Sequence, residues 1–180
     1  MSLKSQQQTG NCYLTGLVFA LLLSSACISV EVNRPPASNT IRTKDREAIT
    51  DLVSRYGHTW DNKNPEEWTR LFTEEADWLF YSGGELKKSI HTRNGRLNFA
   101  KEKLDLFIKQ GIQTRHLQSN TILSLDENDS IHGETIFLVS WQTTGETAPA
   151  LVHTGVYRDI FVRTPAGWKF SRREVHVDHE

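Results

Sequence analysis

The segment QTRHLQSN, residues 113–120, reads as a β-strand, yet it carries His116 where such a strand usually turns an aliphatic side chain to the core. Alternation along a strand puts Gln118 and Asn120 on the face of His116. Imidazole is the side chain whose ordinary pKa lies closest to neutrality, so it can take up or deliver a proton under physiological conditions. Two settings accommodate this row. A strand that faces water presents it as solvated surface; a strand that lines a polar hole presents it to a bound molecule. Chemistry is available only in the second setting.

Other residues with chemical potential are fewer. His153 shares a strand face with Tyr157, where it either reaches the mouth of a pocket or sits on the rim. The ending HVDHE, residues 176–180, straddles both faces of its strand and runs into the terminus. Metal ligands must converge on one point, so no metal site is expected there. Taken alone, Asp61 in WDNKN reads as a helix-ending turn residue, and Tyr56 as a helix core residue with its hydroxyl at the edge. The sequence contains no dinucleotide fingerprint, phosphate-binding loop or nucleophile elbow, and no cofactor is expected.

The elements that must position these residues follow from periodicity. From Lys44, the apolar residues Ile49, Leu52, Val53, Tyr56 and Trp60 recur at helical spacing. NPEEW starts a second helix, with Asn64 as cap and Pro65 in the first position. ADWLFYS is a short aromatic strand ended by a turn at SGGE. A third helix begins near Asn94 and stops at Gly111. Four strands then follow, at 113–125, 131–144, 150–163 and 168–177, joined by short loops that imply antiparallel neighbours. Helices followed by a meander give an α+β fold. Phe137, Val139 and Trp141 share one face of the second long strand; Leu151, His153, Gly155, Tyr157 and Phe161 share one of the third. Ile136 and Leu138 make the opposite face of the second strand apolar too. One side would meet helices and the other a second subunit, so a homodimer or higher homo-oligomer is expected.

The first 27 residues differ from the rest. An apolar run, LVFALLL, follows Lys4 and precedes SSAC, which suits signal-peptidase cleavage after Ala26 and export to the periplasm or beyond. A cut before Cys27 also allows a lipid anchor, although Ser24 occupies the usual lipobox leucine position. Contact with a membrane is expected only through this leader. Both cysteines, Cys12 and Cys27, lie in it, so residues 44–180 form a domain without disulfides, joined by a linker at 28–43. The net charge of −1 excludes a strong global field toward nucleic acid. Asn128 begins a formal glycosylation sequon that reads as turn chemistry.

The helix AITDLVSRYGHTWDNKNPEEWTRLFTEEADW, the strand TRH with Asn120 four residues beyond the histidine, and the ending HTGVYRDIFVRTPAGWKFSRRE resemble the SnoaL-like branch of the NTF2-like superfamily. That branch includes scytalone dehydratase, bile acid 7α-dehydratase and hexachlorocyclohexane dehydrochlorinase. The resemblance spans residues 44–177. It implies a cone-shaped α+β barrel of about three helices on a strongly curved, mostly antiparallel sheet, with a pocket between them. It further implies that Asp61 and His116 occupy the positions of the catalytic Asp and His of members that eliminate water or HCl, and that Tyr56 matches a tyrosine of the bile-acid enzyme. The dehydrochlorinase has a lysine at that position. Val139 and Trp141 stand where other members have a second acid or base, and Gly155 and Tyr157 where one has Ser and Asn, so no known substrate carries over.

As chemistry, Asp61 would hold one ring nitrogen of His116 and leave the other as a base. Such a base removes a proton from carbon beside a carbonyl or a leaving group. Tyr56 would bind the developing oxyanion or assist the leaving group. Phe137, Val139, Trp141, Tyr157 and Asn120 are the candidate substrate-binding residues, for a small hydrophobic molecule, polycyclic or aromatic. The expected activity is a dehydratase-like lyase or an isomerase without a cofactor. The alternative is an exported domain of this fold that only binds a ligand or dimerises.

Overall fold

The computed structural model describes residues 40–126 and 130–178. The leader, the linker up to residue 39, Cys27, Asn128, His179 and Glu180 lie outside the described residues. The order of elements is α1 (Thr43–Asp61), α2 (Pro65–Arg70), β1 (Phe72–Ser82), β2 (Glu85–Ile90), α3 (Arg93–Lys109), β3 (Ile112–Leu125), β4 (Ile131–Thr143), β5 (Ala150–Thr164) and β6 (Gly167–Val177).

Helix α1 buries Ile49, Leu52, Val53 and Tyr56 of the stripe that its periodicity predicts, half-buries Trp60, and buries Gly57 and Asp61 as well. Its first turn is fastened by Asp45, which accepts hydrogen bonds from Arg42, Arg163 and the Trp168 indole. Its last turn gives way at Lys63, which adopts a left-handed φ of 58°. The Asn64 side chain then accepts from Glu67 N–H at 3.1 Å and starts α2, with Pro65 in the position where a missing N–H costs nothing. Helix α3 is capped by Thr92 and held to β1 by Arg96, which is fully buried and donates to the carbonyls of Thr73, Glu74 and Ala76.

The six strands form one curved, unclosed sheet in the order β2-β1-β6-β5-β4-β3. All neighbours are antiparallel except β1 and β6, which run parallel because the chain leaves β2 through α3 to the far edge and returns strand by strand. The helices cover the concave face. There Trp68, Phe72, Phe161 and Phe170 pack ring against ring, with centroids 5.1–5.2 Å apart along the chain of contacts. Burial of each such side chain contributes about 1.5–3 kcal/mol.

Two irregularities alter the faces expected from simple alternation. Between Ser119 and Ile122, β3 has one residue more than its partner β4, which is a β-bulge. Asn120 sits in it with φ 53°, a conformation asparagine tolerates better than most residues. Beyond the bulge the faces exchange: Ile122 is 70% exposed, whereas Leu123 is buried and Thr121 bonds the buried Thr135. A second shift, between Val139 and Ser140, pairs Leu151 with Ser140 and leaves it exposed rather than on the face of His153.

Candidate active site

The register of the sheet lays out the concave wall. His116 lies opposite Val139, and Val139 opposite His153, so the two histidines flank one valine in a single row. Strand spacing puts their backbones roughly 10 Å apart. The next row is Gln118, Phe137, Gly155 and Val177. Phe137 stacks on Tyr157 at 4.1 Å between centroids. Gly155 permits this, because a Cβ there would lie 2.9 Å from the Phe137 ring and 2.0 Å from the His176 carbonyl oxygen.

Between this wall and the helices is a cavity of about 470 Å³. Tyr56, His116, Phe137, Val139, Trp141 and Tyr157 line it. His153 lines it as well, its ring meeting Trp141 edge to face. Asn120 does not: the bulge turns it outward, and it is exposed. Gln118 faces a separate polar crevice with Ser54, His58, Asp61, Asn62 and Arg115, which His116 also borders. Of His116, Gln118 and Asn120 on this face, His116 lines the cavity, together with Thr114 two residues before it. Among the lining residues that strand alternation missed are Trp78 and Phe80 on β1, Lys88 on β2, and Phe99, Lys103 and Phe107 on α3. For the aromatic ones the signal lay in apolar spacing, which marks a core and a cavity lining equally.

Asp61 is brought to His116 by the close approach of α1 to β3. Its Oδ1 lies 2.7 Å from His116 Nδ1 and accepts from the Thr114 hydroxyl at 2.7 Å; its Oδ2 accepts from the His116 backbone N–H at 2.8 Å. Gln113 Nε2 donates to the Asp61 carbonyl at 2.9 Å. Both side chains of the pair are about nine-tenths buried. Burial pushes the Asp61 carboxyl up, but the bonds from His116 and Thr114 and the imidazole charge outweigh it and hold the carboxyl below its usual range. An ionised carboxylate accepts only, so the Nδ1 of His116 must carry the proton. Its Nε2 has no protein partner among the described residues.

Tyr56 packs edge-on to His116, with centroids 6.4 Å apart, and its hydroxyl accepts from the Trp78 indole at 3.2 Å. Burial pushes its phenol up, against the nearby Arg173 charge, so it stays a neutral donor. Behind Tyr56 and Tyr157 lies a buried ion pair, Arg173–Asp159, bidentate at 2.7 Å for both bonds. Burial pulls His153 below the ordinary imidazole value, and the charge of His116 adds to this. His176 lies elsewhere, bonded to Glu174 at 2.8 Å and stacked on Tyr81. Among the described residues, no group of three or more His, Cys, Asp or Glu side chains could hold a metal ion, and no helix is long and apolar enough to cross a membrane.

Three helices packed on a six-stranded, mostly antiparallel, curved and unclosed sheet make an NTF2-like fold. A family model described as the SnoaL-like domain matches residues 42–174, and the chain belongs to that family. Solved structures share the fold. ActVI-ORFA from Streptomyces coelicolor superposes with a TM-score of 0.67 at 23% identity, covering 77% of this chain and 100% of that one. A candidate scytalone dehydratase from Novosphingobium aromaticivorans gives 0.61 at 22%, over 74% and 84%. Aln2 from a Streptomyces species gives 0.65 at 17%, over 77% and 94%. At these identities the likeness is one of fold. A comparison with curated proteins returned no match.

Proposed function

We propose that this SnoaL-like domain is a cofactor-independent lyase or isomerase in which His116 is the base. The observation that carries the reading is the Asp61–His116 bond, 2.7 Å long, at the wall of an apolar cavity. Asp61 fixes the Nδ1–H tautomer and stabilises the imidazolium. Nε2 takes a proton from a carbon activated by a neighbouring carbonyl, and the C–H electron pair moves toward that carbonyl as an enolate. Tyr56 donates a hydrogen bond to the oxyanion. The imidazolium then returns its proton. Delivered to a departing hydroxyl it releases water and leaves a double bond; delivered to another carbon it gives an isomer. The aromatic lining excludes water and strengthens each of these contacts. The resemblance in fold to a candidate scytalone dehydratase supports an elimination.

Proton abstraction can be tested before the natural substrate is known. 2-Tetralone, a small bicyclic ketone, is incubated in D2O and its α-deuteration followed by NMR. The protein is expected to accelerate exchange, and His116→Gln to abolish the acceleration. Exchange no faster than buffer, or unchanged in the variant, sinks the reading. A second reading, ligand binding without turnover, is favoured by Val139 and Trp141, which line the cavity but offer no second acid or base. It corresponds to retained ligand with no exchange.

The outer sheet face supports a homodimer. Leu117, Ile136 and Leu151 are 58%, 42% and 60% exposed there, beside Leu138. A second copy of this chain covering them accounts for the apolar residues on both faces of β4.

A further inference from the structure

Among the described residues, two lysines line the cavity, Lys88 and Lys103, and no aspartate or glutamate does. Lys88 comes from β2 and Lys103 from α3, and both residues are exposed, so their ammoniums lie on the solvent side of the cavity. The Lys88 ammonium lies over the Phe99 ring, 5.3 Å from its centroid, and Lys103 follows Phe99 by one helical turn on the same face. That face continues with Leu106, 42% exposed, and Gln110, both at the cavity. Neither ammonium is paired with a carboxylate among the described residues, although Lys87 pairs with Glu85 and Lys101 with Glu66.

Uncompensated positive charge at the rim of an apolar cavity is not neutral toward ligands. The low-dielectric aromatic walls transmit its field inward, and a molecule that leaves an anionic end at the mouth keeps that end hydrated while burying its body. A cationic ligand would be repelled.

We infer that the ligand is an aromatic or polycyclic molecule with one oxyanion group, such as a carboxylate, held between Lys88 and Lys103 while the ring body fills the cavity. The inference rests on the cavity being the ligand site, as proposed above. The anchor also sets orientation. With the anion at the exposed rim, the opposite end of the molecule reaches His116, whose side chain is only 10% exposed. Lys88 and Lys103 are therefore specificity residues and take no part in proton transfer.

Two probes with the same body separate this inference from its premise. Trp60, Trp78 and Trp141 line the cavity, so binding is read as quenching of intrinsic fluorescence. Anthracene-2-carboxylate is compared with 2-(hydroxymethyl)anthracene, on the wild type, the double variant Lys88→Gln/Lys103→Gln and the control Lys44→Gln. Two exposed ion contacts amount to about a tenfold preference for the carboxylate at low salt. This preference is expected to vanish in the double variant and shrink at higher salt, with the alcohol's Kd unchanged throughout. Equal affinities in the wild type, a preference surviving in the double variant, or an equal loss in Lys44→Gln overturns the anion anchor while the cavity stands. Failure of both probes to bind removes the cavity as the ligand site and the anchor with it.

Discussion

Gly57 on α1 lies directly against His116 on β3: a Cβ at residue 57 would fall 2.9 Å from the His116 Cβ and 2.8 Å from Gln118 Nε2. The amide could swing aside, but the His116 Cβ moves only with its strand. The missing side chain therefore brings the helix close enough for Asp61, one turn further on, to reach Nδ1. Ala is a better helix former than Gly by roughly 1 kcal/mol, which would stabilise Gly57→Ala if there were room. The clash outweighs this, since overpacking costs about 1–3 kcal/mol. A lower urea midpoint is expected, together with a longer Asp61–His116 contact seen as a changed 15N shift of the ring. A more stable variant with unchanged shifts would show that the close approach does not matter.

Asp61→Asn keeps the shape but leaves one acceptor oxygen where the carboxylate offers two, and the His116 backbone N–H competes for it. The amide offers N–H where Nδ1–H needs an oxygen, so the His116 tautomer is no longer enforced. Where histidine serves as base behind such a carboxylate, the loss is roughly 10³–10⁴-fold. Exchange of 2-tetralone is expected to fall by that order, with the circular dichroism spectrum unchanged. A loss below about tenfold would assign the proton transfer to another group.

His153 links the cavity to acid stability. Its folded pKa lies below the ordinary 6.5, through burial first and the charge of His116 second. The unfolded chain thus binds the proton more readily, so stability is fully present above about pH 6.5 and falls as the pH drops through that value. A second decline follows below about pH 3.8, where the lowered carboxyl of Asp61 finally takes a proton. His153→Leu is expected to remove the first decline and leave the second. Urea midpoints between pH 7.5 and 5 test this; an unaltered slope in the variant would place the first decline elsewhere.

The apolar outer face makes its own demand. Leu117→Lys puts a charge into the row with Leu138 and is expected to shift light scattering from dimer to monomer without loss of helix or sheet. A wild-type monomer at micromolar concentration would count against the dimer at once.

Much of this architecture is legible in the sequence because local signals agree there. Asn64–Pro65 announces α2, Gly111 stops α3, and the stripe from Ile49 to Tyr56 gives α1 its buried side. β2 is not legible: ELKKSI is exposed over five of its six residues, so no alternation distinguishes it from a loop. The role of Asn120 fails for a different reason. One extra residue in β3 inverts every face beyond it, and an asparagine at a bulge looks like any polar residue on a strand. Lys88 and Lys103 carry no signal of their own, since a solvated lysine means nothing until the cavity beside it is known. The pairing of Asp61 with His116, 55 residues apart, came through family resemblance; each residue alone reads as ordinary.

The buried Arg173–Asp159 pair gives the strongest stability effect. Both side chains have zero exposure, and the guanidinium lies 4.0, 4.2 and 4.1 Å from the centroids of Tyr56, Tyr157 and Phe170. Burial alone would pull Arg173 down, but Asp159 holds it charged. Its Nη1 lacks a hydrogen-bond partner among the described residues, so besides the ring faces it is Asp159 that compensates the charge. Asp159→Leu strands a cation beneath the cavity and is expected to cost about 3–5 kcal/mol. The double variant Asp159→Leu/Arg173→Met removes both charges and should recover much of that loss, as apolar replacements of buried pairs often do. The test is the coupling between the two substitutions in urea denaturation. If the double variant is no more stable than Asp159→Leu, the ring contacts around Arg173 stabilise this layer more than charge compensation does.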